Sequence, residues 1–352
     1  MRNILSQMKK IASFFYSNFE VALDLGTSNT RIAINGKGIV LREPTYVGFD
    51  TKNNNYLFFG AEAKEIQGKA PNYINIIRPI ENGIIADFDA GVALMLYFLK
   101  KSIHPFILNK GFLKQKLVCY TTVPSSSTEV EQKALEESLL KSGFAEVYLI
   151  EKPLATALGI HHSIFSHKPV FVIDMGGGII EIAIITLGGI VIQKINKLAG
   201  EHMDKLIYNY LHLKYGVIVG EHTAENLKIN LFNFTDENKT LTIRGKSLEN
   251  RLPKSIRVKS NDIKEALIGQ FNQIVDMIKE VLEATPPEII NEIVKHGIIL
   301  TGGLANIKAV NNFFVDELKI PVVIQESPQE STIKGLLKLM NNKEKLKRIL
   351  IK

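Results

Sequence analysis

An apolar strand that runs into an aspartate and then a glycine-containing polar turn occurs twice in this chain, and few architectures accommodate such a repeat. The first copy is Val21 to Asn29 (VALDLGTSN) and the second is Val170 to Gly178 (VFVIDMGGG). Glycine allows the backbone to fold tightly, and a tight turn with its amides exposed makes an anion-binding concavity. Two such turns facing one another would clamp the phosphates of a nucleotide, so the repeat predicts a duplicated, two-lobed α/β protein.

With 352 residues, 45% of them hydrophobic, the chain is long enough for two folded domains. Glycine and proline are not concentrated in blocks, so the lobes are expected to be interwoven without a flexible linker. The formal net charge of +7 suggests an anionic partner: nucleotide phosphates, acidic lipid or nucleic acid. The single cysteine, Cys119, lies in the strand-like run Lys116 to Val123, which excludes an internal disulfide, favours a reducing compartment and reads as core. No uninterrupted apolar stretch reaches the ~18 residues of a spanning helix.

Met1 to Phe19 places Ile4, Leu5, Met8, Ile11, Phe15 and Phe19 at helical spacing, with Arg2, Lys9 and Lys10 largely opposite. This predicts a basic amphipathic helix over 1–19. It lacks the compact apolar block and cleavage site of a secretory signal and is taken as part of the mature protein. Phe19 to Ile34 then reads as a hairpin carrying the first turn, with another strand at Ile39 to Arg42. Asp50 to Tyr73 is mixed and polar. Ala90 to Lys101 reads as a helix followed by a loop, Ser102 to Lys114, that carries Phe106, Ile107 and Leu108. Strands are expected at Leu117 to Val123 and Val147 to Ile150, and helices at Glu129 to Ser142 and Leu154 to His161. In the second half, strands at 170–173, 181–186 and 190–194 precede helices at 203–215 and 222–229. A strand-like stretch at 241–258 leads to a long helix, Ile263 to Ala284, stopped by Pro286 and Pro287. Gly297 to Leu300 enters a third glycine turn, Thr301 to Gly303.

A single Asp-Leu-Gly turn is ordinary hairpin chemistry, but Asp174-Met175-Gly176-Gly177-Gly178 spends conformational entropy that calls for a close approach of the backbone to something. Asp24 and Asp174 are candidates to hold a hydrated Mg²⁺ against phosphate oxygens, with Thr27, Ser28 and Asn29 donating hydrogen bonds. The Thr301-Gly302-Gly303 turn suits the face of a base or ribose.

Asp24 to Thr30, Arg78-Pro79 with Gly83 to Phe88, Val123 to Glu131, Asp174 to Gly178, Gly220 to Lys228 and Leu300 to Gly303 together resemble the bacterial actin MreB, in the family's order and approximate spacing from about Phe19 to about Leu337. The absence of tryptophan and the abundance of Lys, Asn and Ile are similar to the divergent MreB paralogues of spiroplasmas. The resemblance implies an actin-like ATPase fold of the actin, Hsp70 and hexokinase superfamily, with duplicated ribonuclease H-like domains and a nucleotide cleft. Lobe I would span 20–168 plus 326–352 with a small subdomain at about 50–84, and lobe II 169–325 with a small subdomain at about 201–262. It implies ATP or ADP with Mg²⁺, and self-association into head-to-tail, paired filaments. Other MreB paralogues are possible partners, and the expected location is cytoplasmic, at the inner face of an anionic membrane. By motif, Thr27, Ser28 and Asn29 would meet the phosphates from one side and Gly176, Gly177 and Gly178 from the other. Glu225, Asn226, Leu227 and Lys228 would line the ribose and adenine region with Gly302, Gly303, Leu304 and Ala305. Leu304 stands where the family usually has a third glycine, which would tighten that pocket.

Two departures bear on chemistry. The family carries an acidic residue immediately before the proline of the segment matching Glu151 to Gly159, where its carboxylate positions the attacking water; here that residue is Lys152. An ammonium group offers three donors and no acceptor. The family's threonines after the three glycines are replaced by Ile179 and Ile180. No catalytic residue of the family is then intact, and ATP is expected to be bound but hydrolysed poorly. Glu151 is a partial substitute, although adjacent strand residues point to opposite faces.

For membrane attachment the candidates are Ile4, Leu5, Met8, Lys9, Lys10, Ile11 and Phe15 of the amphipathic segment with Phe106 and Ile107 of the apolar loop. Packing of that segment on its own domain or on a neighbouring subunit is the alternative. The basic run Lys343 to Lys352 reads as a solvated tail, and His161, His162 and His167 lack a carboxylate or cysteine at metal-ligand spacing. A normally active ATPase of the MreB family stays open as a reading. So does, less favourably, a soluble sugar or acid kinase of the superfamily, which would require a base where Lys152 stands. An Hsp70-like chaperone would need a peptide-binding domain beyond Lys352. Nucleic-acid binding is not expected, because no stripe of cations interleaved with aromatics occurs.

Overall fold

A computed structural model describes residues 18–103, 106, 116–160 and 163–351. Two compact units divide the described residues: unit 1 holds those within 18–66, 70–159 and 332–351, and unit 2 those within 67–69 and 160–331. The chain passes from unit 1 to unit 2 after Gly159 and returns at Thr332.

Unit 1 is organised on a five-stranded sheet. Its strands are β1 (Asn18–Leu25), β2 (Asn29–Ile34), β3 (Gly38–Pro44), β9 (Lys116–Val123) and β10 (Glu146–Glu151), in the order β10-β9-β1-β2-β3. Neighbours β1 and β2 are antiparallel, as are β2 and β3, while β9 runs parallel to both β1 and β10. Helices α2 (Phe88–Ser102), α3 (Glu129–Lys141) and α4 (Lys152–Gly159) belong to this unit. Leu94, Met95, Phe98 and Leu99 of α2 recur at helical spacing and are buried with Val21, Leu23, Ile32 and Cys119 of the sheet. Burying each such side chain is worth about 1.5–3 kcal/mol, so Cys119 serves as a core residue, as its position indicates. The segment that reads as mixed and polar is structured: β4 (Val47–Asp50), β5 (Asn55–Phe59) and β6 (Ile74–Ile77) form a second sheet with helix α1 (Ala61–Glu65), and β7 (Ile80–Glu81) pairs with β8 (Ile84–Ile85).

Unit 2 repeats the sheet. Strands β11 (Val170–Met175), β12 (Ile180–Thr186), β13 (Gly189–Asn196), β17 (Ile298–Thr301) and β18 (Val322–Ile324) are ordered β13-β12-β11-β17-β18, antiparallel through β11, β12 and β13 and parallel through β11, β17 and β18. The sense of every pairing matches its counterpart in unit 1. Helix α5 (Gly200–Tyr215) precedes β14 (Val217–Ile218), α6 (Glu221–Leu231) and the hairpin of β15 (Thr240–Ser247) with β16 (Pro253–Lys259). Helix α7 (Ser260–Glu283) buries Ile263, Leu267, Phe271, Ile274, Ile278 and Val281 along one face against this core.

Several sequence expectations are corrected. Phe19, placed on an amphipathic helix, belongs to β1 and is buried. Pro286 and Pro287 end one helix and start the next, α8 (Pro287–His296), because proline at the first helical position loses no bond it would have made. Helix α9 (Val310–Leu318) and then β18 complete unit 2 before the chain returns through α10 (Ser331–Met340). Lys343 to Lys352 is not a solvated tail: α11 (Lys343–Ile349) buries Leu346 and Ile349, and Leu350 bridges to Ile150 at the β10 edge. Among the described residues no helix is long and apolar enough to cross a membrane.

Candidate functional site

The two repeated turns close in the same way. After β1, the Gly26 amide donates to the Asn29 carbonyl at 3.2 Å; after β11, the Gly176 amide donates to the Ile179 carbonyl at 2.9 Å. A Cβ on Gly26 would lie 2.7 Å from the Asn29 oxygen, and one on Gly176 would lie 2.8 Å from the Ile179 oxygen. Only glycine fits either position without the turn opening. Asp24 and Asp174 occupy equivalent places near the strand ends and are each 6% exposed.

What surrounds the first turn is largely hydroxyl and backbone. Thr45 Oγ1 donates to the Gly26 carbonyl at 2.8 Å and sits 2.9 Å from Thr30 Oγ1, while Thr27 Oγ1 accepts the Gly83 amide at 3.0 Å. Gly83 opens the GIIADF motif, so that motif meets the first turn directly. The side chain of Asp87 then caps α2 by accepting the Ala90 amide. Ser28 is half-buried and Asn29 exposed. Across the hairpin, Arg31 pairs with Asp24 at 3.2 Å, so the carboxylate proposed for Mg²⁺ already faces one cation of the protein. The VPSSSTEVE motif supplies a capping box: Thr128 Oγ1 accepts the Glu131 amide, and the Glu131 carboxylate accepts the Thr128 amide.

The second turn is held by the start of α5. The amides of Gly200 and Glu201 donate to the carbonyls of Gly176 and Gly177 at 3.2 and 2.9 Å. Gly200 packs so closely that a Cβ there would come within 3.2 Å of Gly177 Cα. Lys228 of α6 is 8% exposed; its Nζ donates to the Gly200 carbonyl at 2.6 Å and lies 2.7 Å from Asp204 Oδ1. Burial pushes the Asp204 carboxyl up to about 6, with Lys228 opposing that rise and Glu225 and Glu201 adding to it. At the third turn Gly302 has φ +83, and a Cβ would lie 2.4 Å from the Met175 carbonyl and 2.5 Å from Asp174 Oδ1. Asp174, Gly176, Gly177, Lys228, Gly302 and Leu304 are thus gathered around one neighbourhood of unit 2. Asp204, Gly200 and Glu201 join them without having been singled out in the sequence. The available signal was a glycine at a helix start, four residues after a strand.

The other adenosine candidates divide by exposure. Leu227, Leu304 and Ala305 bury their side chains in the core, which leaves their backbone for a ligand, whereas Asn226 and Gly303 are exposed and Glu225 is half-buried. Ile179 and Ile180 are buried, so these isoleucines fill space where a threonine hydroxyl would need a partner. Glu151 ends β10 opposite Val123 and Lys152 begins α4. The strand-alternation argument that set the two residues on opposite faces therefore does not apply. Burial raises the Glu151 carboxyl above its ordinary value. Phe106 is half-buried against the unit 1 core with Lys37 Nζ 4.1 Å from its ring. Ile4, Leu5, Met8, Lys9, Lys10, Ile11, Phe15 and Ile107 lie outside the described residues.

Comparison with known proteins places the whole arrangement. A profile of the MreB/Mbl protein family matches residues 18–348. The cell shape-determining protein Mbl of Bacillus subtilis is 38% identical over 93% of this chain and 97% of its own length. The cell shape-determining protein MreB of Escherichia coli is 34% identical, covering 93% of this chain and 94% of its own. The crystal structure of MreB5 of Spiroplasma citri bound to AMPPNP superposes with a TM-score of 0.88 at 29% identity, covering 94% of this chain and 98% of that one. A double helical filament of MamK shares the fold alone, with a TM-score of 0.77 at 16% identity over 93% of this chain and 99% of that one. With its two equivalent sheets, its paired aspartate-glycine turns and a family match running almost from end to end, the chain belongs to the MreB/Mbl family of actin-like proteins.

Proposed function

We propose that this chain binds ATP with Mg²⁺ through the turns after β1 and β11, assembles with copies of itself into cytoskeletal filaments, and hydrolyses the bound ATP slowly. The observation that carries the nucleotide assignment is the duplicated turn, in which Gly26 and Gly176 each leave no room for a Cβ. Such cradles, each beside a buried aspartate, fit phosphate and a hydrated cation. Asp24 and Asp174 would hold the cation, which would neutralise charge on the phosphates. The Spiroplasma citri MreB5 structures with AMPPNP and with ADP support the same ligand class.

Slow hydrolysis rests on Lys152, Ile179 and Ile180. Losing a general base costs on the order of 10²- to 10⁴-fold, and no hydroxyl at 179 or 180 compensates. The Glu151 carboxyl, with its raised proton affinity, is the nearest residue in sequence able to accept a proton and would support residual turnover. We also assign the segment over 1–16 and the loop around Ile107 to an anionic membrane surface, on the cytoplasmic side, on the strength of their sequence pattern. Repetition along a filament would multiply a weak single contact.

The test combines electron microscopy with phosphate release. Filaments should form with ATP or a non-hydrolysable analogue, and K152E combined with I179T should release phosphate at least about tenfold faster than the wild type. Absence of filaments with every nucleotide would remove the assembly assignment. Wild-type release as fast as that of the double variant would remove the slow-hydrolysis assignment.

A further inference from the structure

Lys228 and Asp204 carry a role that the motif comparison does not give them. The match to GEHTAENLK places Lys228 among residues lining an adenosine pocket, yet the residue is 8% exposed and its ammonium is held inside the protein by one hydrogen bond and one ion pair. The hydrogen bond goes to the Gly200 carbonyl at 2.6 Å, and the ion pair is to Asp204 Oδ1 at 2.7 Å. Both partners lie in the first turns of α5, and the amides of that same end, Gly200 and Glu201, hold the Gly176 and Gly177 carbonyls. The contacts form a short chain from α6 through α5 to the glycine turn.

We propose that Asp204 and Lys228 are positioning residues for the phosphate turn: together they brace the α5 N-terminus, which fixes the carbonyl direction of Gly176 and Gly177 and so aims the turn at a phosphate. Three flexible residues in succession would otherwise sample many conformations, and a turn that must be ordered on binding weakens the ligand by that ordering cost. The buried ammonium and half-buried carboxylate are well suited to this. Each is largely withdrawn from water, so removing one leaves the other poorly compensated, and the geometry around Gly200 must relax. The pair can hold the turn only as a pair, and its effect falls on the phosphates and not on the base.

This rests on the nucleotide reading above, and the experiment separates the two. A fluorescent ATP analogue bound to the full chain is displaced by ATP and, separately, by AMP, for wild type, D204N, K228M and K228R. With D204N and K228M, ATP should weaken by about tenfold, equivalent to about 1.4 kcal/mol, while AMP weakens by less than about twofold. K228R, which keeps the charge, should recover part of the ATP affinity. Amide hydrogen exchange supplies a readout that needs no ligand: Gly200 and Glu201 should be protected in the wild type and lose protection in D204N. Equal weakening of ATP and AMP, or loss of AMP binding alone, would return Lys228 to the adenosine pocket and overturn the proposal. Unchanged exchange at Gly200 and Glu201 in D204N would overturn it as well. If the wild type bound no nucleotide, the nucleotide reading would fail, and the exchange result would still decide whether the pair braces the turn.

Discussion

In unit 1 the turn after β1 is braced by Thr45, Thr30 and Thr27 hydroxyls and the Gly83 amide; in unit 2 the equivalent turn after β11 is braced by a helix end and a largely shielded ion pair. The closing hydrogen bond is nevertheless the same, glycine amide to the carbonyl three residues on. Matched through that bond, Asp24 corresponds to Asp174, Gly26 to Gly176, Asn29 to Ile179 and Arg31 to Glu181. Only the aspartate and the glycine are shared at these positions. The backbone path and the missing Cβ define the turn, and everything that supports it has diverged.

The largest expected effect is on the feature that unit 2 has and unit 1 lacks. Strand β17 ends in Thr301 followed by Gly302, whereas its counterpart β9 ends in Val123 followed by Pro124. Alanine at 302 would set a Cβ 2.4 Å from the Met175 carbonyl at a backbone angle that L-residues rarely adopt. G302A should destabilise the chain by about 3 kcal/mol or more, read as a lower urea midpoint. A midpoint equal to the wild type would show that the third turn makes no close approach.

The bracing pair of unit 2 is titratable, and the hydroxyls of unit 1 are not, so a pH response separates the two turns. Burial holds the Asp204 carboxyl at about 6, above its ordinary value of 3.8. Between those values the folded chain binds more protons than the unfolded one, so this group's contribution to stability falls as pH rises through the window. Asparagine removes the dependence. The stability difference between D204N and wild type should therefore move in the variant's favour by up to about 3 kcal/mol from about pH 4 to about pH 7. Thermal unfolding of both proteins across that range checks it, and parallel profiles would mean that Asp204 is not held above its ordinary value. A variant that is more stable near neutral pH yet weaker for phosphates would mark the pair as a functional feature kept at the expense of stability.

Much of this fold is legible in the sequence because strands and glycine turns carry strong local signals. Asp24-Leu25-Gly26 and Asp174-Met175-Gly176 identify the duplicated turn, and the long apolar spacing of 263–281 gives α7 its buried face. What was not legible depends on partners distant in the chain. Lys228 lies 28 residues from the Gly200 carbonyl that it meets, and nothing in GEHTAENLK says that its lysine points inward. The strands between Val47 and Ile77 are only four or five residues long, too brief for an alternation to register. The basic run Lys343 to Lys352 concealed Leu346 and Ile349, whose burial becomes visible only once unit 1 offers a surface to cover.

The sharpest remaining difference between the halves is the residue opposite each aspartate. Asp24 faces Arg31 across its hairpin, with side chains 8% and 16% exposed, and the pair is bonded at 3.2 Å. Asp174 faces Glu181, which is 2% exposed. Opposite charges at directly paired positions stabilise a sheet and like charges weaken it, so the same kind of neutralising change should act in opposite senses. R31M removes a charged partner and should cost about 1–3 kcal/mol. E181Q keeps the shape and removes one carboxylate, and should leave stability unchanged or raise it by up to about 1 kcal/mol. Urea midpoints of the two variants read the contrast directly. Equal losses would mean that both hairpins need their cross-strand side chain for packing alone. A cost confined to R31M would mean that unit 1 depends on the charge pair across its hairpin, whereas unit 2 does not depend on the charge of Glu181.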